Sequence, residues 1–366
     1  MGLPDIVIEF SKKAVAAIQS GTLGVVGIIL KDSKNNGALV LRGVDEIPDG
    51  TSAFTAANTA YLERAFVGTP SKVIVYTLPT DAENYNAAFK FFASQKINYL
   101  VAPPDVTPTL ATSVATWIKG LRNSTIRRPV AVLPDTAGDD RAVVNFSVVN
   151  GSSTNKVMAG DTAFTPAELC SRIAGLLAGL DLRISATYKP LAEVTQIPDA
   201  TKDEVDTAID AGKLVLYNDG ERIVIGRGVN SLVTTSETNP EDLKKIKISA
   251  IQDLIESDIY STINSSYIGN YSNTYDNKCL LITAIKGYLR GLEATEGGKG
   301  YLRADSSTIE INVAKQKQYL ESIGVDCSDM SDQEIKEANT GSHVFLKGTI
   351  SILDAIEDVD IFINRE

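Results

Sequence analysis

The chain has little of what most catalytic and metal chemistries require. Its 366 residues include one histidine, three cysteines, three methionines and one tryptophan. The lone histidine, His343, excludes a multi-histidine metal cluster and leaves a Ser-His-Asp triad only one possible base. No GxSxG nucleophile elbow accompanies it, and it reads as a surface or strand-end side chain. Cys170, Cys279 and Cys327 are odd in number, far apart and without a CxxC pair, so they suggest no disulfide framework. Cys170 and Cys279 fall within apolar helical patterns, where buried thiols are expected. Long apolar runs are missing too. The longest, Leu23 to Leu30, is broken by Gly24 and Gly27 and is too short to span a bilayer. The start lacks a secretory signal pattern, so synthesis in the cytoplasm without Sec export is expected. Basic residues are outnumbered, 35 against 46 acidic ones, giving a net charge of −11 that disfavours nonspecific nucleic-acid binding.

Phosphate loops are also absent. Gly21, Gly24 and Gly27 are spaced GxxGxxG, which is neither the dinucleotide nor the P-loop pattern. They sit in or before an apparent strand, where tight packing or a bulge explains them better. Gly297-Gly298-Lys299-Gly300 follows a helical pattern and reads as its cap and loop. Asp139-Asp140 and Asp358/Asp360 match no calcium loop. No catalytic residue, cofactor or metal ligand is expected anywhere in the chain.

What the chain does have is a strand pattern at each end. Asp5 to Phe10 places Ile6, Ile8 and Phe10 on one face, and Val359 to Asn364 places Val359, Ile361 and Ile363 on one face. Terminal segments fray unless something ties them down, and an uncovered strand edge is a liability in solution. The two runs are therefore either edge strands of the subunit's own sheet or strands shared with a neighbouring subunit.

Between them, Thr22 to Leu30 reads as a buried strand and Ala38 to Leu41 as a further apolar run. From Ser71 the pattern is α/β: strands at 72–76, 98–102 and 129–133 alternate with helices carrying Tyr85, Phe89 and Phe92, then Leu110, Val114, Trp117, Ile118 and Leu121. This spacing predicts a parallel, doubly wound sheet. Capping boxes open helices at Thr165–Glu168 and Thr201–Glu204, and Asp219-Gly220 marks a hairpin between 214–217 and 222–225. Beyond Asn239-Pro240 the helices lengthen. Ile251 to Ile263 is one. Asn277 to Glu293 is another, with Leu281, Ile285, Tyr288 and Leu292 on one stripe and Lys286 and Arg290 opposite. That pair is either a solvated face or a partner contact. A third capping box lies at Ser331–Glu334, and Val344, Leu346, Ile350 and Ile352 alternate as a strand.

The expected architecture is thus mixed α/β and α+β. It comprises an N-terminal arm and linker (1–20), an α/β region (21–240, with a possible small β subdomain near 21–70), a C-terminal α+β domain (241–350), and a linker and arm (351–366).

The run Gly212 to Leu216, Asp219 to Ile225 and Val229 to Thr235, with Lys245 to Ile248, Tyr267-Ile268-Gly269, Leu280 to Leu292 and the ending Asp354 to Asp360, resembles the contractile tail sheath protein family. Within that family it looks most like the short sheaths of myophage-like prophages and phage-tail-like bacteriocins. The resemblance extends from about Phe164 to the C-terminus; earlier it is one of order and composition.

It implies a structural subunit, not an enzyme, that polymerises with itself as stacked hexameric rings in a helical tube around an inner tail tube. Terminal arms would add strands to sheets of neighbouring subunits, with Ile6, Ile8, Phe10, Val359, Ile361 and Ile363 as anchors and Val344, Leu346, Ile350 and Ile352 as the receiving strand. It further implies hinges at Lys12–Ser20 and Ser351–Asp358 and an inner-tube contact at Lys286 and Arg290. The remaining partners would be baseplate and tail terminator proteins, with no nucleic acid and no membrane contact. Assembly would take place in the bacterial cytoplasm, in a tail or tail-like particle released by lysis. The alternative is a soluble α/β enzyme binding a nucleotide or other small molecule through the 71–133 unit. A surface-layer or pilus-type protein is a third reading, disfavoured by the missing export signal.

Overall fold

The computed structural model describes residues 24–34, 37–50, 53–152, 155–237, 239–295 and 299–365. The run containing Ile6, Ile8 and Phe10, and the linker 12–20, lie outside them. The described chain falls into two compact units, one formed by Leu23–Asp253 with Ala355–Glu366, the other by Leu254–Asp354.

In the first unit the strands are β1 (Val25–Lys31), β2 (Gly37–Leu41), β3 (Lys72–Leu78), β4 (Tyr99–Val101), β5 (Val130–Pro134), β6 (Val143–Ser147), the short hairpin β7 (Val157–Ala159) and β8 (Thr162–Phe164), β9 (Lys213–Asn218) and β10 (Ile223–Ile225). Its helices are α1 (Ala56–Val67), α2 (Asn86–Phe92), α3 (Pro108–Ser124), α4 (Pro166–Gly179) and α5 (Lys202–Asp210). Eight strands form one sheet in the order β10-β9-β6-β5-β4-β1-β3-β2. The six inner strands are parallel, while β2 and β10 close the two edges antiparallel.

The composition of β1 shows why the sheet is covered on both faces. VVGIILK has no polar alternation, as expected of a strand buried on two sides. Val26, Ile28 and Leu30 enter a layer with Tyr61 and Leu62 of α1 and Ile173 and Leu177 of α4. Ile29 enters the opposite layer with Phe92, Val114 and Ile118. Tight packing accounts for both described glycines of the GxxGxxG run. A Cβ on Gly27 would lie 2.9 Å from the Phe92 ring, and one on Gly24 3.2 Å from the Ala178 backbone.

The α1–α4 crossing is closer still. A Cβ on Gly175 would lie 1.9 Å from the Ala65 carbonyl oxygen, and one on Gly179 1.7 Å from that of Gly68, so the two helices meet backbone to backbone. Helix α4 starts at Thr165, whose hydroxyl accepts from the Glu168 amide while the Glu168 carboxylate accepts from the Thr165 amide, with Pro166 at the first helical position. The hairpin between β9 and β10 turns at Asp219-Gly220, where Gly220 has φ of +97°.

The second unit contains most of the remaining elements. Helix α6 (Ile246–Thr262) begins in the first unit and continues past Asp253 into a π turn at Ile263–Tyr267. It is followed by α7 (Tyr275–Leu292), β11 (Thr308–Ile311), α8 (Val313–Ser322), α9 (Asp332–Glu337) and β12 (Leu346–Thr349). Leu281, Ile285, Tyr288, Leu289 and Leu292 are the buried stripe of α7. Cys170 and Cys327 are buried, but Cys279 is only half-buried. Two residues before Leu281 on the helix, it lies roughly 140° around from the centre of that stripe.

The strand expected over Val344 to Ile352 is shorter in the structure. Only Leu346–Thr349 pairs with β11, antiparallel, with Leu346 opposite Ile311 and Thr349 opposite Thr308. Val344 and Ile350 lie outside it, and Ile352 makes a single bridge to Leu302. The reason is a change of partners. On one side the Asn273 amide donates to the carbonyls of Gly341 (2.7 Å) and His343 (3.0 Å) and fixes a turn there. On the other, the chain leaves β11 for residues 301–303, with Arg303 N to Ser351 O at 2.8 Å and Leu353 N to Tyr301 O at 2.9 Å.

Candidate assembly interface

The C-terminal run is the most unusual surface of the molecule. From residue 353 to 365 the chain forms neither helix nor strand. Its large apolar side chains point into solvent: Val359 is 68% exposed, Ile361 70%, Phe362 87% and Ile363 82%. Alternation of the strand type is present without a ladder, because a strand exists only where a second strand satisfies its amides and carbonyls. The reading in which these residues are an edge strand of the subunit's own sheet therefore fails for the described chain.

The root of this run is built differently. The Glu357 carboxylate is almost fully buried, with side-chain exposure of 5%. Its Oε1 accepts from the Ser185 hydroxyl and the Thr187 hydroxyl, both at 2.7 Å. Its Oε2 lies 3.6 Å from Arg227 Nε and 3.7 Å from Lys245 Nζ. Both oxygens of Asp358 accept from Arg227 Nη2 at 2.6 Å. That hydrogen bond holds the Asp358 carboxyl below its ordinary range and raises the guanidinium above its own.

All four partners belong to the sheet unit, so the segment 351–358 is not one uniform linker. Residues 351 and 353 bond to 303 and 301, whereas 357 and 358 are held by the sheet unit. Nothing local in the sequence marks Glu357, Ser185, Thr187, Arg227 and Lys245 as one site. The partners lie 112 to 172 residues from Glu357 and Asp358, and only that acidic pair hinted at a basic counterpart.

Of the residues assigned to a receiving strand, Leu346 alone lies in β12. β11 and β12 form a two-stranded sheet, which leaves each with one side unpaired among the described strands. Lys286 and Arg290 are both exposed, one helical turn apart on α7 and away from its buried stripe.

A nucleotide site would be expected where the parallel sheet switches direction, at the carboxyl ends of β1 and β4. Here that end is filled by the chain itself. Fully buried Asp32 accepts from the Thr55 amide (2.8 Å) and hydroxyl (2.9 Å), the Asn58 side-chain amide (2.7 Å) and the Lys34 amide (2.9 Å). The Tyr61 hydroxyl donates to the Ala102 carbonyl at 2.8 Å, just beyond β4. Among the described residues no group of three or more His, Cys, Asp or Glu side chains is placed to hold a metal, and no helix is long and apolar enough to cross a membrane.

The fold is that of tail sheath proteins. It is similar to the sheath tail protein of Listeria innocua, with a TM-score of 0.67 at 14% identity over 94% of this chain and 100% of that one. It is also similar to the PVC sheath complex of an extracellular contractile injection system in its contracted state, with a TM-score of 0.64 at 11% identity over 93% and 92% of the two chains. In sequence, residues 80–231 match the phage tail sheath protein central domain. The whole chain is 36% identical over 368 residues to the tail sheath protein of Clostridium phage phiCD119, covering 98% of each. The chain belongs to the phage tail sheath protein family.

Proposed function

We propose that this protein is the self-assembling subunit of a contractile tail sheath. Copies stack as hexameric rings in a helical tube around an inner tail tube, joined by exchange of terminal strands, and repacking of the lattice drives that tube through a target envelope. The carrying observation is the alternating apolar run Val359 to Ile363, left exposed and unpaired by its own subunit. Burying Val359, Ile361 and Ile363 against a neighbour would contribute about 1.5–3 kcal/mol each, with backbone hydrogen bonds setting the register. The side of β12 not paired with β11 is the proposed receiving edge, and the N-terminal run containing Ile6, Ile8 and Phe10 is the proposed second arm. Head-to-tail contacts of this kind generate open helical assemblies.

The inner-tube contact must release on contraction, and exposed charges such as Lys286 and Arg290 suit that, since exposed ion pairs contribute only ~0–1 kcal/mol. Baseplate and tail terminator proteins are the proposed partners at the two ends, with assembly in the bacterial cytoplasm and release by lysis. Support comes from the family membership, and from the neighbour whose own structure is a contracted sheath complex. The enzyme reading needs a ligand crevice at the switch point, where Asp32 and Tyr61 instead bond to the chain itself.

The test is negative-stain electron microscopy of the full chain and of a chain lacking 359–366. The full chain is expected to form hollow tubes, and the truncated one to remain folded and unassembled. A full chain that stays monomeric across a range of salt, or a truncation that unfolds the subunit, overturns the proposal.

A further inference from the structure

We infer that Glu357, Arg227, Ser185 and Thr187 form a latch that fixes the root of the C-terminal arm to the edge of the eight-stranded sheet, so that the mobile part of the arm begins at Val359. This rests on the reading of 359–365 as an exchanged strand, and it moves the pivot to the end of the 351–358 segment.

The receiving pocket is built before the arm is considered. Residues 188–190 run along β10, with Tyr188 N to Ile225 O at 2.8 Å and Ile225 N to Lys189 O at 2.9 Å, which anchors the pocket wall to the sheet. Each hydroxyl already accepts a backbone amide. Thr187 N donates to Ser185 Oγ (3.1 Å), and Gly228 N donates to Thr187 Oγ1 (2.9 Å). Those bonds occupy oxygen lone pairs and leave the hydroxyl protons for Glu357 Oε1, which at 2.7 Å is a closer acceptor for the Ser185 proton than Thr187 Oγ1 at 3.0 Å. Two cations flank Oε2, and Arg227 also grips Asp358.

A buried carboxylate is costly unless paired and hydrogen-bonded; this one is hydrogen-bonded through Oε1, while Oε2 makes no hydrogen bond among the described residues and is compensated by the two flanking cations. The site therefore accepts an acid at 357 and rejects an apolar side chain. Immediately after it the polar contacts stop and the exposed apolar run begins. A fixed root confines the free arm to the volume it can sweep from one point. That raises the effective concentration of its strand at a neighbour's edge relative to an arm free from residue 351.

The experiment uses the full chain and endoproteinase Asp-N, which cuts before aspartate, with the cut before Asp358 at the root resolved by mass spectrometry from the cut before Asp360 in the exposed run. Cleavage reports the population of the opened root when reclosing is fast. Glu357→Ala and the double variant Ser185→Ala/Thr187→Ala are expected to be cut before Asp358 about tenfold or more faster than the parent, the size set by loss of hydrogen bonds to a charged group. Glu357→Gln keeps an acceptor for the hydroxyls and is expected to fall between. Circular dichroism and melting of each variant confirm a retained fold, and the double variant provides the test if Glu357→Ala misfolds. In microscopy the opened variants are expected to give fewer and less regular tubes.

Equal rates of cleavage before Asp358 in parent and variants overturn the latch. Faster cleavage with unchanged tube formation overturns its role in assembly. A parent chain that forms no tubes overturns the sheath-polymer reading instead, and the cleavage assay is independent of that outcome.

Discussion

Asp32 illustrates how one residue ties sequence to stability. Burial alone raises its carboxyl pKa, but the hydrogen bonds from Asn58, Thr55 and Lys34 outweigh it, and the group sits below its ordinary value of 3.8. A carboxyl depressed in the folded state contributes stability that is complete above its unfolded value and is lost as pH falls through the folded one. The gap in stability between the parent and Asp32→Asn is therefore expected to be widest near neutrality and to close below about pH 3.8. Urea melts at about pH 7, 5 and 3 would read it, and a pH-independent gap would assign the effect to shape, not charge. Nothing in the sequence around Asp32 announced this role, because Thr55 and Asn58 reach it only after α1 folds back over β1. The positions that sequence did place, such as Leu281, Ile285 and Tyr288 on the buried stripe of α7 and Lys286 and Arg290 opposite, depend only on helical periodicity.

At the level of elements, the contact between α1 and α4 is the most demanding in the sheet unit. Gly175→Ala would push a methyl into the Ala65 carbonyl, at 1.9 Å, where backbone and not a flexible side chain is the obstacle. A loss of about 1–3 kcal/mol or more is expected in urea denaturation, while Gly287→Ala on α7, with open space at its Cβ, is expected to be neutral or slightly stabilising. The sequence showed α4 through its capping box but not α1, whose AANTAYLERAFV carries modest amphipathicity and no side-chain cap. It also missed β6, since Val143 to Ser147 follows β5 after only a short loop and all five residues are buried. Strands buried on both faces lack the alternation that identifies one-sided strands. The reverse error occurred near Val344 to Ile352. There the alternation extends over nine residues, but turn contacts from Asn273 and a switch of partner to residues 301–303 leave a ladder of four.

For the whole molecule, the proposed function depends on surfaces that this subunit leaves exposed among its described residues. Charge reversal at the exposed pair, Lys286→Glu with Arg290→Glu, is expected to leave folding and tube formation by the sheath chain intact. It should abolish or sharply weaken capture of the inner tube protein in a mixed assembly, measured by co-sedimentation at low and high salt. Because exposed charges are screened over about 8 Å at physiological ionic strength, the parent's capture should itself decline with salt. Capture that survives the reversal would place the inner-tube contact elsewhere.

The amino-acid sequence by itself determined the alternating α/β order, the helix starts and the alternation of the terminal runs, since periodicity and capping are local properties of the chain. Only the tertiary structure decided that the C-terminal run finds no ladder in its own subunit and that Glu357 is seated beside Arg227, because pairing and burial of charge depend on which distant residues folding brings together.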